Sequence, residues 1–234
     1  MPRHSLIFVT AFLVGAPFAH ANTLRYKVGP LPFATVADGS SADLDPAADA
    51  IRILINRTVT VGGATYRVSG YVSAVASPPV TGKPALIVES LQIRNMAGNV
   101  IGGTLVLEHQ FSANDNITYN DSLSGEFDNV VAPGWLNGGS LAYISRIRSA
   151  VGGSWKTVAS GFTGMEAGAA PIPFAFAGGP VNHKKVDRQD QSFTFYLDSP
   201  GDAILIEKND DCEFSAAWLL PLAGWRVSRR RRTG

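Results

Sequence analysis

Few side chains in this 234-residue chain are equipped for chemistry. Of the four histidines, His4 and His20 stand in an N-terminal leader, which leaves His109 and His183. A structural zinc site takes about four ligands. Two distant histidines and the lone Cys212 do not supply them. Oxygen ligands are better represented. Asp43, Asp45 and Asp49 are closely spaced, and Asn114, Asp115, Asn116 and Asp121 form a second cluster. Ca²⁺ takes six to eight oxygens from such loops. The first cluster is the leading calcium candidate, although neither has the glycine and distal glutamate of an EF-hand. Asx-rich loops also form turns and caps without any ion. Apart from calcium, no cofactor is expected.

Hydrolytic chemistry has little to work with. No Gly-x-Ser-x-Gly elbow occurs, and a triad would have to use His109, which falls inside the predicted strand Thr104–Phe111. Glycosidases need only two facing carboxylates. Glu89, Glu108, Glu126 and Glu166 are available, but no spacing pairs them. Sugar binding has more to draw on, because exposed aromatic rings offer flat apolar platforms beside polar groups. Trp135 follows Pro133-Gly134, Trp155 follows Gly152-Gly153-Ser154, and Tyr119 lies in the Asn/Asp-rich stretch. These three are the candidate carbohydrate contacts. The alternative reading packs them over a sandwich edge.

Both ends of the chain carry signals. Pro2-Arg3-His4, the apolar run Leu6–Val14, the breakers Gly15 and Pro17, and Ala19-His20-Ala21 make a cleavable secretory leader over residues 1–21. At the other end, an uncharged stretch from Phe214 to Trp225 precedes Arg226, Arg229, Arg230, Arg231 and Arg232. Trp218 and Trp225 lie in this segment as interface residues would, and the arginines would resist crossing a membrane. The alternative is a last strand followed by a solvated basic tail. Setting aside Arg3 and the five tail arginines, 14 basic residues face 19 acidic ones. An acidic body excludes a nucleic-acid-binding surface spread over the fold. One cysteine also rules out an internal disulfide framework.

Two stretches resemble exported bacterial proteins of the PEP-CTERM group. The first is Val36–Pro46, similar to an Asp-Gly-Gly…Gly-Asp-Leu-Asn-Pro segment near the start of such domains. The second is the tail from Trp218 to Arg232, with Asp210-Asp211-Cys212-Glu213 where the group has Pro-Glu-Pro. The resemblance implies a β-sandwich protein of a Gram-negative cell surface or extracellular matrix. It further implies an association with exopolysaccharide or biofilm and no enzymatic activity.

The elements that must position these residues are strands. Ile51, Ile53 and Ile55 point one way, and Arg52 and Asn56 the other. Thr58–Val61, Gly62-Gly63 and Tyr66–Ser69 read as a hairpin. Leu105 and Leu107, then Phe193, Phe195 and Leu197, alternate with polar residues as half-buried antiparallel strands do. Ser41–Ala50 reads as a loop, and Ala167–Pro180 as an ordered loop or irregular edge. The expected fold is all-β, an antiparallel jelly-roll-like β-sandwich over residues 22–212, with the apolar and Arg-rich tail over 213–234. The leading expectation is a non-catalytic exported surface or matrix protein, partnered by surface glycans and held to the membrane by its tail. The rival is a secreted carbohydrate-binding module, and a glycoside hydrolase comes third. Exposed aromatics in a row on one sheet face would favour the module. Two carboxylates across a deep cleft would favour the hydrolase.

Overall fold

The computed structural model describes residues 22–76, 84–98, 100–114, 117–129, 138–151, 153–166 and 171–209. The leader and the tail lie outside them. Two six-stranded antiparallel sheets face one another. The first runs β10 (Trp155–Glu166), β9 (Gly139–Ser149), β13 (Val186–Leu197), β6 (Ile101–Asn114), β1 (Thr23–Val28) and β2 (Ala34–Ala37). The second runs β11 (Ile172–Ala177), β8 (Ser122–Asp128), β14 (Ala203–Asn209), β5 (Ala85–Ala97), β4 (Ala64–Val75) and β3 (Ala50–Val61). A small third sheet pairs β7 (Ile117–Tyr119) with β12 (Val181–His183).

Eight of these strands make a jelly roll. β5, β14, β8 and β11 lie side by side in one sheet, and β6, β13, β9 and β10 in the other. Successive strands β5 and β6 therefore oppose the last pair, β14 and β13, as two interlocked Greek keys require. The β1–β2 and β4–β3 hairpins extend the two sheets on the same side.

Alternation drives the layering. In β9 the side chains of Leu141, Tyr143 and Ile147 are buried, while Ile144, Arg146 and Arg148 face outward. The core between the sheets holds the predicted inward sets Ile51, Ile53, Ile55 and Leu105, Leu107, Phe193, Phe195, Leu197. Tyr66 meets Phe195 edge to face at 5.1 Å, and Tyr143 lies 5.2 Å from Phe193. A smaller cluster at one end contains Phe111, Tyr119, Ile147, Val158 and Val186.

The predicted hairpin joins β3 to β4. Val61 pairs with Ala64, and Gly62 and Gly63 both take positive φ, 59° and 86°. A two-residue turn of that hand matches the twist of its strands. Ser41–Ala50 is a looped segment, as expected. Ala167–Pro180, expected as an ordered loop or irregular edge, has the edge strand β11 at its centre, paired with β8 through Ile172–Ala177. Pro173 sits within it, and an edge strand has room for a residue that lacks an N–H.

Candidate functional site

The outer face of the first sheet collects the groups of most interest. Cross-strand register lays them in rows. One row reads Thr157 on β10, Arg146 on β9, Asp190 on β13, Glu108 on β6 and Arg25 on β1. The next reads Trp155, Arg148, Arg188 and Gln110 on the first four of those strands. Acidic Asp190 and Glu108 are thus direct neighbours, and each is held by an arginine from its other side. Arg146 donates from Nε to Asp190 Oδ1 at 3.0 Å and from Nη2 to Oδ2 at 2.5 Å. Arg25 Nη1 donates to Glu108 Oε2 at 3.0 Å. Burial pushes the Asp190 carboxyl up, and Glu108 adds to this, against the opposing pull of Arg146. Arg148 forms a second fork on Asp187, at 3.3 and 2.9 Å.

Trp155 rests on these arginines. Its ring centroid is 5.1 Å from the Arg146 guanidinium and 5.9 Å from that of Arg148. The side chain is nevertheless 38% exposed. A cation against a ring contributes roughly 0.5–1 kcal/mol at an exposed site. Here the cations are themselves fixed by carboxylates, so the ring is held in place before any ligand arrives.

The register of β10 breaks between Thr157 and Ala159. Val158 and Ala159 both turn into the protein. A bulge of this kind re-aims the side chains beyond it. Ser160 then pairs with Ile144 and Phe162 with Ala142, both positions on the outer face. Gly161 confirms the direction, because a side chain there would collide with Phe176 inside the sandwich. Phe162 is 69% exposed and Ile144 42%. Trp155, Ile144 and Phe162 therefore form an apolar row along the edge of one sheet face. Their partners on β9 span Ala142 to Arg148, roughly 20 Å of strand.

Of the three predicted sugar contacts, Trp155 is on the surface. Tyr119 is a correction, since its pairing with Val181 at the end of the sandwich buries it at 2% exposure in the smaller core cluster. A buried ring offers no platform. Trp135 lies outside the described residues, as do Trp218, Trp225, Arg229, Arg230, Arg231, Arg232 and Cys212. Phe162, Arg146, Arg148 and Arg188 escaped the sequence reading. The alternation in Ile144-Ser145-Arg146-Ile147-Arg148 places both β9 arginines on one face, but only the sheet register shows what stands beside them.

The calcium candidates are engaged with backbone. Asp43 accepts from the N–H groups of Gly39, Asp45 and Arg52 at 2.9–3.0 Å. Asp45 accepts from Ala47 N–H at 2.9 Å. Asp49 takes a positive φ of 63° and donates its N–H to Asp38. Among the described residues, no three His, Cys, Asp or Glu side chains come together as a metal site.

His109 is buried inside β6, with Nε2 2.8 Å from Asn22 Oδ1 and Nδ1 3.5 Å from Gln189 Oε1. Burial pushes its imidazole down to about 4. Glu89 sits where the β4–β5 register slips. Burial alone would raise its carboxyl, but hydrogen bonds from Arg52 and Ser73 outweigh it and hold the group below its ordinary range.

No family model matches the chain, and no curated protein matches its sequence. Among solved structures it is similar to TmCBM61 in complex with β-1,4-galactotriose, at 13% identity and a TM-score of 0.28, over 62% of this chain and 85% of that one. It is also similar to a carbohydrate-binding module of the β-sandwich superfamily, at 11% identity and a TM-score of 0.33, over 78% and 67%.

Proposed function

We propose that this chain is an exported, non-catalytic carbohydrate-binding domain that recognises glycan on the outer face of its first sheet. The observation that carries the reading is the row Trp155, Ile144 and Phe162 on one sheet face, beside arginines and carboxylates that can hydrogen-bond hydroxyls. Apolar platforms next to oriented polar groups suit the two sides of a sugar ring. The non-catalytic part is supported by the neighbouring carboxylates Asp190 and Glu108, each committed to an arginine. Affinity electrophoresis through gels containing single polysaccharides tests the proposal. The intact protein should be retarded by at least one glycan, and Trp155→Ala with Phe162→Ala should run free. Equal retardation of both proteins would remove this face from the function.

The leader and the tail support the second half of the proposal, a place at the cell envelope, surface or matrix. Fractionation with an internal tag in the segment over residues 77–83 tests it. Intact protein should stay with the envelope, and a chain lacking residues 214–234 should pass to the medium. If both forms remain equally cell-bound, the tail is not the anchor.

A further inference from the structure

The ligand's chemistry can be narrowed, on the reading that this face binds glycan. We infer that it takes an anionic polysaccharide, one bearing carboxylates along its chain, with its acid groups set against Arg188 and the adjoining basic end of the sandwich.

Arg148 and Arg188 are direct cross-strand partners on β9 and β13. Like charges in that position destabilise a sheet. Asp187 neutralises Arg148, at 2.9 Å. Arg188 has only the Asp190 carboxylate on its own strand for relief, and that group is already forked by Arg146. Arg188 donates from Nη2 to the neutral Gln110 amide at 3.2 Å. Its Nε is buried without a hydrogen-bond partner, and it joins no ion pair among the described residues. A half-buried guanidinium in no ion pair of its own, on the sheet face that carries Trp155 and with Arg148 between them, suits a carboxylate, which accepts two parallel N–H bonds.

More positive charge stands at the same end of the sandwich, across β10 from Trp155, because Lys156 pairs with the inward-facing Ile147. A cleft of about 590 Å³ opens there, lined in part by Lys156, Asn182, His183 and Lys184 and, among the described residues, by no acidic one. The turn carrying these groups is tied down. Lys156 Nζ donates to Asn182 O at 3.2 Å, Ser149 Oγ to Lys184 O at 3.2 Å, and Ala150 N to Lys185 O at 2.7 Å. His183 Nε2 is buried and has no hydrogen-bond partner among the described residues. This concentration stands on a body with 14 basic against 19 acidic residues. The local sign is therefore opposed to the overall one, as a focused site for an anion requires. The overall acidity in turn disfavours a nucleic acid, whose charge would press on the whole surface.

The test compares two forms of one backbone. The full-length secreted protein is run through gels containing polygalacturonate, its fully methyl-esterified form, a neutral galactan, or single-stranded DNA. Polygalacturonate should retard it about tenfold more strongly than the ester, and added salt should weaken this. Arg188→Gln should lose about tenfold on the acid form alone, and Arg188→Lys should recover only part of that loss, with an unchanged melting curve, because an ammonium keeps the charge but not the two parallel bonds. Lys156→Gln with Lys184→Gln should act in the same direction. Equal retardation by acid, ester and galactan, abolished by Trp155→Ala, would overturn the charge requirement and leave the glycan reading standing. Retardation by none of the glycans would overturn both. Equal retardation by DNA, indifferent to Trp155→Ala, would mark a general polyanion surface and overturn this inference.

Discussion

The Arg146 guanidinium lies 5.1 Å from the Trp155 ring centroid while both ends of its fork are held by Asp190. The aromatic platform is thereby linked to a buried carboxylate on a neighbouring strand. Arg146→Ala would leave Asp190 beside Glu108 without its cation. The Arg146 side chain is 41% exposed, so solvent tempers the loss, and about 2 kcal/mol is expected in urea unfolding. Arg146→Lys should recover only part of it, because an ammonium cannot form the two-pronged contact. Full recovery by lysine would show that the fork has no role.

His109 sets a pH dependence. Its imidazole falls to about 4 in the folded protein, against about 6.5 when the chain is unfolded. Between these values the unfolded chain binds a proton that the folded one refuses. Its contribution to stability is complete above about pH 6.5 and is lost as the pH falls toward 4, on the order of 3 kcal/mol in all. His109→Gln should flatten this part of the stability curve in urea titrations across pH. A variant with an unchanged slope would place the effect on the carboxylates instead.

Gly70 pairs with Leu91 just before the register slip that falls between Tyr71 and Val72 of β4. It takes a φ of 147°, and a Cβ there would stand 2.0 Å from the Ser90 carbonyl oxygen and 2.7 Å from Leu91 Cα. Both obstacles are backbone, so neither can swing aside. Gly70→Ala should cost at least about 2 kcal/mol in chemical denaturation. A change below half of that would mean that the two strands part easily at the bulge.

Asp43 organises its loop through three backbone N–H groups. Asp43→Ala should lower stability by about 1–2 kcal/mol. If the carboxylates act as turn formers, thermal melts in Ca²⁺ and in chelator should superimpose. A melting temperature that rises with Ca²⁺ and loses that rise in Asp43→Ala would assign the loop an ion.

The strands, the Gly62-Gly63 hairpin and the inward sets of isoleucine and phenylalanine are local matters. Alternation at period two and the need of a tight turn for positive φ are written in adjacent residues. The sandwich class could therefore be read from the chain. The aromatic row could not. Trp155 and Phe162 are seven residues apart, an odd number that puts them on opposite faces of a regular strand. Val158 brings them to one face by adding a residue to β10, and that bulge exists because both Val158 and Ala159 turn inward. Tyr119 failed as a platform for a related reason, since its burial depends on β12, more than sixty residues away. The opposition of Arg148 and Arg188 likewise arises from register between strands distant in sequence. Pattern along the chain determined which residues form strands and which faces are apolar. Only long-range pairing decided which exposed groups became neighbours, because register is set by the packing of whole sheets rather than by any one segment.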